Sequence, residues 1–398
     1  MVWGYFNTIV TYYSFNYQYL VWNNLKNNPM KKMYPKSLFA LALVMMLCSL
    51  NVSAQLDLPA GSQMAKVSQR IGITDITIVY SRPSVNEREI WGKLVPYGMN
   101  NLGFGTAKES PWRAGANENT IIKFKDDVKI EGKDLAAGKY GLHMVIQEDN
   151  KATVIFSKNN SAWGSYFYDP AADALKVDVD MIDGAHTEQL TYTFDNVTAN
   201  AATATLSWGK KKIPFKIEVD VTEVVLADIR KKLQDSPGFN RQTWEQAANF
   251  SLNNDGDLKE ALGWIDATIA GQFFSQKTFN NLNIKSQILT KMGKTAEAEL
   301  VMNEAMDYAT VFQIHGYGRQ LIGQGQKEKA MEVFKMNAKK NKGQWPVDFG
   351  LARAHSAMGN YKTALKHLKV AATRAPDKPN QNAIAGYMEK LKKGEDIN

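Results

Sequence analysis

The 398-residue sequence predicts a multidomain protein, all-β and then all-α: an antiparallel β-sandwich followed by an α-solenoid of helical repeats. From about residue 67 to residue 221, apolar and polar residues alternate in short segments separated by turn residues, which is typical of antiparallel strands. After residue 221 the apolar residues follow a helical period, and a glycine–alanine spacing recurs four times. The hydrophobic content of 44% is sufficient for packed cores and excludes a disordered chain.

Residues 30–54 have the features of a secretory signal peptide. Lysines precede Leu38–Leu50, an apolar run of 13 residues, which is shorter than the roughly 20 residues that a membrane-spanning helix needs. Val52-Ser53-Ala54 then supplies the small residues that signal peptidase prefers. We therefore expect cleavage after Ala54, a periplasmic or secreted protein, and no stable membrane insertion after cleavage. The alternative is that the apolar run is a transmembrane anchor.

Residues 1–29 precede this signal and contain five tyrosines, no acidic residue and no clear period. Because a signal peptide stands at the beginning of a chain, we expect residues 1–29 to be a mis-assigned start, with translation beginning at Met30 or Met33. The alternative is a genuine segment that lies on a membrane surface.

The net charge of the full sequence is +8, and without residues 1–54, which hold four lysines and no acidic residue, it is +4. So small an excess gives little support for nucleic-acid binding, and no nucleic-acid partner is predicted. The single cysteine, Cys48, lies in the signal. The mature protein is therefore expected to lack disulfides, a thiol nucleophile and thiolate metal ligands.

The β-sandwich domain is predicted over residues 55–221. Turn residues, among them Glu131-Gly132-Lys133 and Gly209-Lys210, separate the alternating segments, and many short strands at such spacing indicate a sandwich or barrel. The predicted strands lie around Ile76–Tyr80, Ile122–Ile130, Tyr140–Ile146, Ala152–Phe156, Leu175–Val179, Leu190–Phe194, Ala202–Trp208 and Ile213–Val219.

A linker helix is predicted over residues 222–236, because Val224, Ile229 and Leu233 fall on one helical face. Ser236-Pro237-Gly238 then breaks the helix and marks a domain junction.

Residues 237–398 are predicted to form helical repeats with a C-terminal capping helix near residues 382–393. A glycine is followed five residues later by an alanine at Gly256/Ala261, Gly293/Ala298, Gly325/Ala330 and Gly359/Ala364. The steps between these glycines are 37, 32 and 34 residues, which resembles the 34-residue tetratricopeptide repeat. Three departures from that pattern are Asn249 and Ser286 at a site where the family has a small residue, and Asn337 where alanine is usual.

Catalytic and cofactor motifs are not found in the sequence. It contains no G-x-S-x-G, H-E-x-x-H, Walker loop or C-x-x-C, and no two of its five histidines have the spacing of metal ligands on one helix face. We therefore predict no catalytic, cofactor-binding or metal-binding residue. His143 alternates with Leu142 and Met144 in a predicted strand and is interpreted as a hydrogen-bonded structural histidine.

Polar and aromatic residues cluster in predicted loops of the β half and suggest a binding cleft. Arg113 can hold a carboxylate or phosphate through its two-pronged guanidinium, a tryptophan can stack on a sugar or base, and Glu118 can accept hydrogen bonds from hydroxyl groups. The alternative is that these groups only lock a long loop onto the sandwich. The ligand-binding candidates are Arg82, Trp112, Arg113, Asn117 and Glu118.

The same region resembles a family of exported bacterial proteins known as domain of unknown function 2911. The resemblance covers about residues 60–220 and rests on five motifs, Tyr80–Pro83, Trp91–Gly98, Trp112–Thr120, Ala137–Leu142 and Pro214–Ile217. It implies export and the fold but no established activity, so no catalytic residue follows from it. Two departures are Ala114, in place of a hydroxyl residue, and an insertion at Met99–Pro111 that we expect to form a flexible flap.

Three functions are consistent with the sequence. It favours an exported, non-enzymatic binding protein whose helical repeats bind a protein or peptide. The second hypothesis is binding of a small ligand or glycan by the sandwich. The third is a cell-envelope hydrolase that pairs Glu118 with Asp126 or Asp127, because acid–base catalysis of this kind needs two carboxyl groups at a fixed separation.

Overall fold

The computed structural model of the chain describes residues 58–398. The predicted signal peptide with its cleavage site after Ala54, and the stretch 1–29 before it, lie outside the described residues. Among residues 58–398, no helix is both long enough and apolar enough to cross a lipid bilayer.

The first part of the described chain consists of two antiparallel sheets, as predicted. One sheet has the strand order β1-β2-β3-β6-β7-β8 and the other β5-β4-β10-β9. The strands are β1 (Gln63–Ile71), β2 (Thr74–Arg82), β3 (Ala116–Phe124), β4 (Val128–Ile130), β5 (Lys133–Leu135), β6 (Gly138–Ile146), β7 (Lys151–Ser157), β8 (Asp173–Asp180), β9 (Ile182–Asp195) and β10 (Ala201–Glu218).

Apolar side chains from both sheets meet in one core. Ile76, Ile78 and Ile122 of the first sheet are fully buried, as the alternation predicts. Phe156 of the first sheet contacts Phe215 of the second, with ring centroids 5.9 Å apart. The two sheets therefore form a sandwich.

One predicted turn is wrong, because it lies within a strand. Gly209-Lys210 lies within the continuous strand β10, where the pairing with β9 shifts register. Gly209 has a φ of +58°, and a bulge uses this left-handed conformation as readily as a turn does. Glu131-Gly132-Lys133 does turn the chain, but its last residue already begins β5.

The second part of the described chain is helical. Its helices are α1 (Val221–Leu233), α2 (Arg241–Asn253), α3 (Leu258–Ile269), α4 (Phe279–Lys291), α5 (Thr295–Tyr308), α6 (Val311–Gly323), α7 (Lys327–Lys340), α8 (Trp345–Ala357), α9 (Tyr361–Arg374) and α10 (Lys378–Lys392).

Helix α1 connects the sandwich to the repeats and packs on both. The Asp220 carboxylate accepts a hydrogen bond from the Glu223 N–H and so begins the helix. Val221 and Val224 pack against the sandwich core, whereas Leu226 is buried in the core of the first helical repeat.

Helices α2 to α9 form four antiparallel pairs, and α10 packs on the last pair. Ala261, Ala298, Ala330 and Ala364, the alanines of the predicted spacing, are all buried. Gly293, Gly325 and Gly359 have φ angles near +77°, and each ends the first helix of its pair in the left-handed conformation that glycine tolerates best. The prediction of tetratricopeptide-like repeats is confirmed.

The predicted register of the first repeat is off by one residue in its first helix. Asp255, with a φ of +56°, takes the left-handed position there instead of Gly256. The small residue seven positions before it is Ala248, which is fully buried, whereas Asn249 is exposed. One extra residue in this turn restores the register before Ala261, so the recurring glycine–alanine spacing concealed the shift.

The other two departures from the repeat pattern are buried polar groups with hydrogen-bond partners. The Ser286 hydroxyl donates to the Ala298 carbonyl at 2.8 Å, and the Asn337 amide donates to the Val311 carbonyl at 3.1 Å. Because each side chain makes a bond that replaces its contact with water, burial costs little.

Candidate functional site

Arg82 lies at the end of β2 and links the two sheets. Its Nε donates to the Leu190 carbonyl at 3.0 Å, and its Nη2 donates to the Thr191 hydroxyl at 2.7 Å. Both acceptors belong to β9 of the opposite sheet. Its guanidinium is therefore bound within the sandwich, and the structure does not bring it to the other predicted ligand-binding residues.

Trp112 packs against two other tryptophans on the core. Its ring is nearly parallel to that of Trp208, with centroids 5.9 Å apart, and it meets Trp91 edge to face at 5.8 Å. Its backbone N–H and carbonyl both bond to Met144 of β6 at 2.8 Å. Trp112 is thus a packing residue that joins the loop before β3 to the sandwich.

Arg113 and Asn117 are brought together. The Arg113 Nη1 donates to the Asn117 carbonyl at 2.7 Å, and the Asn117 side chain donates to the Ser62 carbonyl at 3.0 Å. Asn117 has a φ of +58°, where the β2–β3 pairing shifts register. Asn117 and Glu118 therefore lie in the first residues of β3. The prediction that they lie in a loop is wrong.

The carboxyl pair that a hydrolase would need is not assembled. Glu118 is exposed at the beginning of β3, whereas Asp126 and Asp127 follow the other end of that strand. At about 3.3 Å per strand residue, the two positions are roughly 15 Å or more apart, beyond the separation of about 5–10 Å in glycosidases. Asp126 accepts from the Thr74 hydroxyl and Asp127 from the Ala137 N–H, both at 2.7 Å, so both aspartates stabilise turns.

A group of aromatic rings, most of them exposed, lies beside Arg113, and sequence reasoning did not identify it. We call Phe104, Trp163, Tyr166 and Phe167 the aromatic patch. The Arg113 guanidinium carbon lies 5.2 Å from the Trp163 ring centroid and 5.4 Å from that of Tyr166. Phe104 contacts Tyr166 and Phe167, with centroid separations of 5.6 and 6.0 Å. The density of aromatic residues at 163–168 was the signal in the sequence.

Phe104 comes from the insertion 99–111, which was predicted to be a flap. Asn100 and Ser110, near its two ends, pair through backbone hydrogen bonds of 3.0 and 2.8 Å. The Ala107 N–H also donates to the Tyr166 carbonyl at 3.1 Å. The insertion is therefore bound to the loop that carries the other three rings.

His143 supports this loop from within the sandwich. Its Nδ1 lies 3.1 Å from the Ser165 hydroxyl oxygen, and the Ser110 hydroxyl donates to the Ser165 carbonyl at 2.8 Å. Burial, with a smaller contribution from the Arg113 charge, lowers the pKa of His143 to about 4. The histidine is therefore neutral near pH 7, and it is the hydrogen-bonded structural histidine that the strand pattern predicted.

A cleft with a volume of about 770 Å³ opens between the second and third helical repeats. α3 packs along α4, and α7 packs along α8, but α5 and α6 make almost no equivalent contact. The second and third repeats are therefore packed less closely at this point, and a space remains between them. We call this space the inter-repeat cleft.

The walls of the inter-repeat cleft combine apolar, amide and charged groups. Met302 and Met306 are buried, and Val333 and Met336 are half-buried. Lys329 and Glu299, on opposite walls, form an ion pair of 2.7 Å. The side-chain amides of the lining are those of Asn253, Asn283, Gln287, Asn303, Gln320, Gln324 and Gln326.

Among residues 58–398, no three or more histidine, cysteine, aspartate and glutamate side chains are grouped so that they could hold a metal ion.

The fold is that of a β-sandwich followed by tetratricopeptide-like repeats. Residues 62–217 match the model of a family described as "Protein of unknown function (DUF2911)", which confirms the resemblance of residues 60–220. No curated protein is significantly similar to the chain.

Three solved structures similar to the helical part are tetratricopeptide proteins. YrrB, described as a TPR protein with an unusual peptide-binding site, is 16% identical, and the match covers 42% of this chain and 84% of YrrB with a TM-score of 0.27. The C-terminal part of a TPR repeat-containing protein from Cytophaga hutchinsonii is 12% identical, with coverages of 43% and 70% and a TM-score of 0.31. A tetratricopeptide repeat protein from Parabacteroides merdae is 15% identical, with coverages of 44% and 70% and a TM-score of 0.29.

Proposed function

We propose that this chain is an exported, non-enzymatic binding protein and that its inter-repeat cleft holds a segment of a polypeptide. The cleft is the observation that carries this proposal. Its volume of about 770 Å³ lies within the range of roughly 300–1,000 Å³ that is typical of binding pockets. Helical repeats commonly present such surfaces to partner chains.

The chemistry of the cleft favours a peptide over a small charged molecule. Side-chain amides both donate and accept hydrogen bonds, so Asn283, Gln287 and Gln320 can pair with the N–H and C=O groups of a peptide backbone. Met302 and Met336 supply an apolar surface that adapts to different side chains. Charges of both signs line the walls, and Lys329 already pairs with Glu299, so the cleft carries no strong preference for an anion or a cation.

Export is supported by the lysines and the apolar run of residues 30–54. Its test is the N-terminal sequence of the protein recovered from the periplasm of a bacterial host. We expect the mature chain to begin at Gln55. Recovery of an uncleaved chain from the cytoplasm alone would contradict export.

Binding is tested with a phage-displayed library of random dodecapeptides selected on purified residues 55–398, followed by fluorescence anisotropy of the selected peptides. Met336→Glu places a charge in the half-buried apolar wall. We expect it to weaken binding about tenfold or more, since apolar anchors dominate such contacts. The matched control is Leu300→Glu on α5, because Leu300 is 71% exposed and does not line the cleft.

Two outcomes would contradict the proposal. One is that selection yields no peptide that binds above background. The other is that Met336→Glu and Leu300→Glu, at equal thermal stability, bind the selected peptides as tightly as the unchanged protein.

A further inference from the structure

We propose that the aromatic patch on the β-sandwich is a second binding site, and that its ligand is an acidic polysaccharide built from uronic acid residues. This site is separate from the inter-repeat cleft and does not depend on the function proposed for the cleft.

The rings of the aromatic patch are exposed to an unusual degree. Phe104 is 68% exposed, Trp163 56% and Phe167 44%. Neighbouring rings touch one another, so they form one continuous surface and not scattered apolar residues. A continuous exposed aromatic surface on a folded domain is typical of a binding site.

Arg113 adds a cation with donors to spare. Of its five N–H groups, the structure pairs one, at Nη1, with the Asn117 carbonyl. Within residues 58–398, no carboxylate lies within ion-pair distance of its guanidinium. The Trp163 and Tyr166 rings hold the planar group in place, which reduces the entropy that it loses when it binds an anion. A carboxylate is the acceptor whose two oxygens match this fork.

A pyranose ring suits the aromatic surface. One face of the sugar consists of C–H bonds, which pack on the electron-rich face of an aromatic ring. The Trp163 and Tyr166 rings are nearly parallel, at 6°, with centroids 6.1 Å apart, so their surfaces run in the same direction. A polyuronate carries a carboxylate on every sugar. A sugar stacked on an exposed ring therefore brings a carboxylate, its own or its neighbour's, near the guanidinium about 5 Å from that ring.

The test is affinity gel electrophoresis of residues 55–398 at pH 7 in native gels containing polygalacturonate. Parallel gels contain dextran, a neutral polysaccharide, or poly-L-glutamate, which presents carboxylates without a sugar ring. We expect polygalacturonate to retard the protein and the other two polymers to retard it little.

Two variants separate the contribution of the aromatic ring from that of the guanidinium. Trp163→Ala removes an exposed ring, and Arg113→Lys keeps the positive charge but removes the planar fork. We expect each to weaken retardation by polygalacturonate about fivefold or more, because one variant removes the stacking of the sugar and the other the two-pronged pairing with its carboxylate. The control is Phe273→Ala in the helical part, since Phe273 is 76% exposed and lies outside the patch. The thermal midpoints of all variants are compared to confirm that they fold.

Three results would overturn the proposal. Retardation by poly-L-glutamate as strong as that by polygalacturonate would show that negative charge or a polypeptide is sufficient and that no sugar is needed. Equal retardation by dextran would remove the role of Arg113. Unchanged retardation of folded Trp163→Ala would show that the patch is not the site.

Discussion

Lys329 on α7 and Glu299 on α5 form a 2.7 Å ion pair between the two walls of the inter-repeat cleft. Their side chains are 40% and 57% exposed, and exposed ion pairs contribute little to stability because water and salt screen them. The pair raises the pKa of Lys329 and lowers the pKa of Glu299. The cleft walls are therefore held together weakly at this point.

We predict that Lys329→Ala leaves the thermal midpoint of unfolding close to that of the unchanged protein, because the ion pair is exposed. A variant at a buried site provides the comparison. Ala330→Leu puts a larger side chain into the fully buried site next to Lys329, and we expect it to lower the free energy of unfolding by roughly 1–3 kcal/mol. Differential scanning calorimetry checks both. A large fall in the midpoint for Lys329→Ala would show that the pair holds the repeats together.

Phe334 of α7 inserts between two glycines, Gly318 on α6 and Gly350 on α8. A Cβ atom on Gly318 would lie 2.5 Å from the Phe334 ring, and one on Gly350 would also collide with it. We predict that Gly318→Ala destabilises the protein by roughly 1–3 kcal/mol, although alanine is the better helix former. Urea denaturation measures the change.

The matched control is Gly316→Ala on the same helix, where an added Cβ meets nothing within 4 Å. We expect this variant to be stabilised by up to about 1 kcal/mol, through helix propensity alone. Changes of opposite sign in the free energy of unfolding of the two variants would establish the close packing on Phe334. Changes of the same sign would contradict it.

The turns inside the repeats allow another paired prediction. Gly293 and Asp255 occupy the same left-handed position in neighbouring repeats, with φ angles of +78° and +56°. We expect Gly293→Ala to destabilise by about 1 kcal/mol, because a Cβ atom disfavours this conformation. Asp255→Gly relieves the same strain, so we expect it to raise the thermal midpoint. The loss of the exposed ion pair between Asp255 and Lys291 offsets only a small part of this gain. A fall in the midpoint for Asp255→Gly would mean that the ion pair outweighs the strain.

Stability is expected to fall as the pH decreases from about 6.5 towards 4. Burial and the Arg353 charge lower the pKa of His315 to about 4, and burial similarly lowers the pKa of His143 to about 4. The unfolded chain binds a proton at each histidine below about pH 6.5, whereas the folded chain does not, so proton binding favours unfolding in this interval. Each histidine is expected to lower the free energy of unfolding by about 2 kcal/mol between pH 7 and pH 5.

The check is urea denaturation at pH 7 and pH 5 for the unchanged protein and for His315→Phe. Phenylalanine preserves the stacking of His315 on Phe349, whose centroids are 5.5 Å apart. The variant should lose less stability at pH 5 than the unchanged protein does. An equal loss in both proteins would show that His315 is protonated in the folded state.

The architecture could be predicted because it depends on periodic patterns. The alternation through Ile76 and Ile78 places every second side chain in the sandwich core, and the glycine–alanine spacing marks close helix packing at Ala298, Ala330 and Ala364. The predictions were wrong where the same residue type is compatible with two different local structures. Gly209 looks like a turn and forms a bulge, and Gly256 looks like a helix end whose role Asp255 takes.

The candidate site could be predicted only in part, because its contacts join distant segments. Arg113 and Asn117 are four residues apart and do meet, but Arg82 bonds to β9, over a hundred residues away in sequence. Trp163 and Tyr166 approach Arg113 on a loop that His143, Ser110 and Ala107 bind from other segments of the sandwich. No local pattern encodes that approach.

Periodic local preferences and short motifs are sufficient to predict the two kinds of fold, the repeat number and the family resemblance. Which polar residues are available to a ligand depends instead on tertiary packing. It placed Arg82 and Trp112 in packing contacts, left Arg113 beside exposed rings, and separated α5 from α6 to open the inter-repeat cleft. The physical reason is that burial and exposure depend on how whole elements pack, and one degenerate repeat interface can open without any change in the repeat pattern.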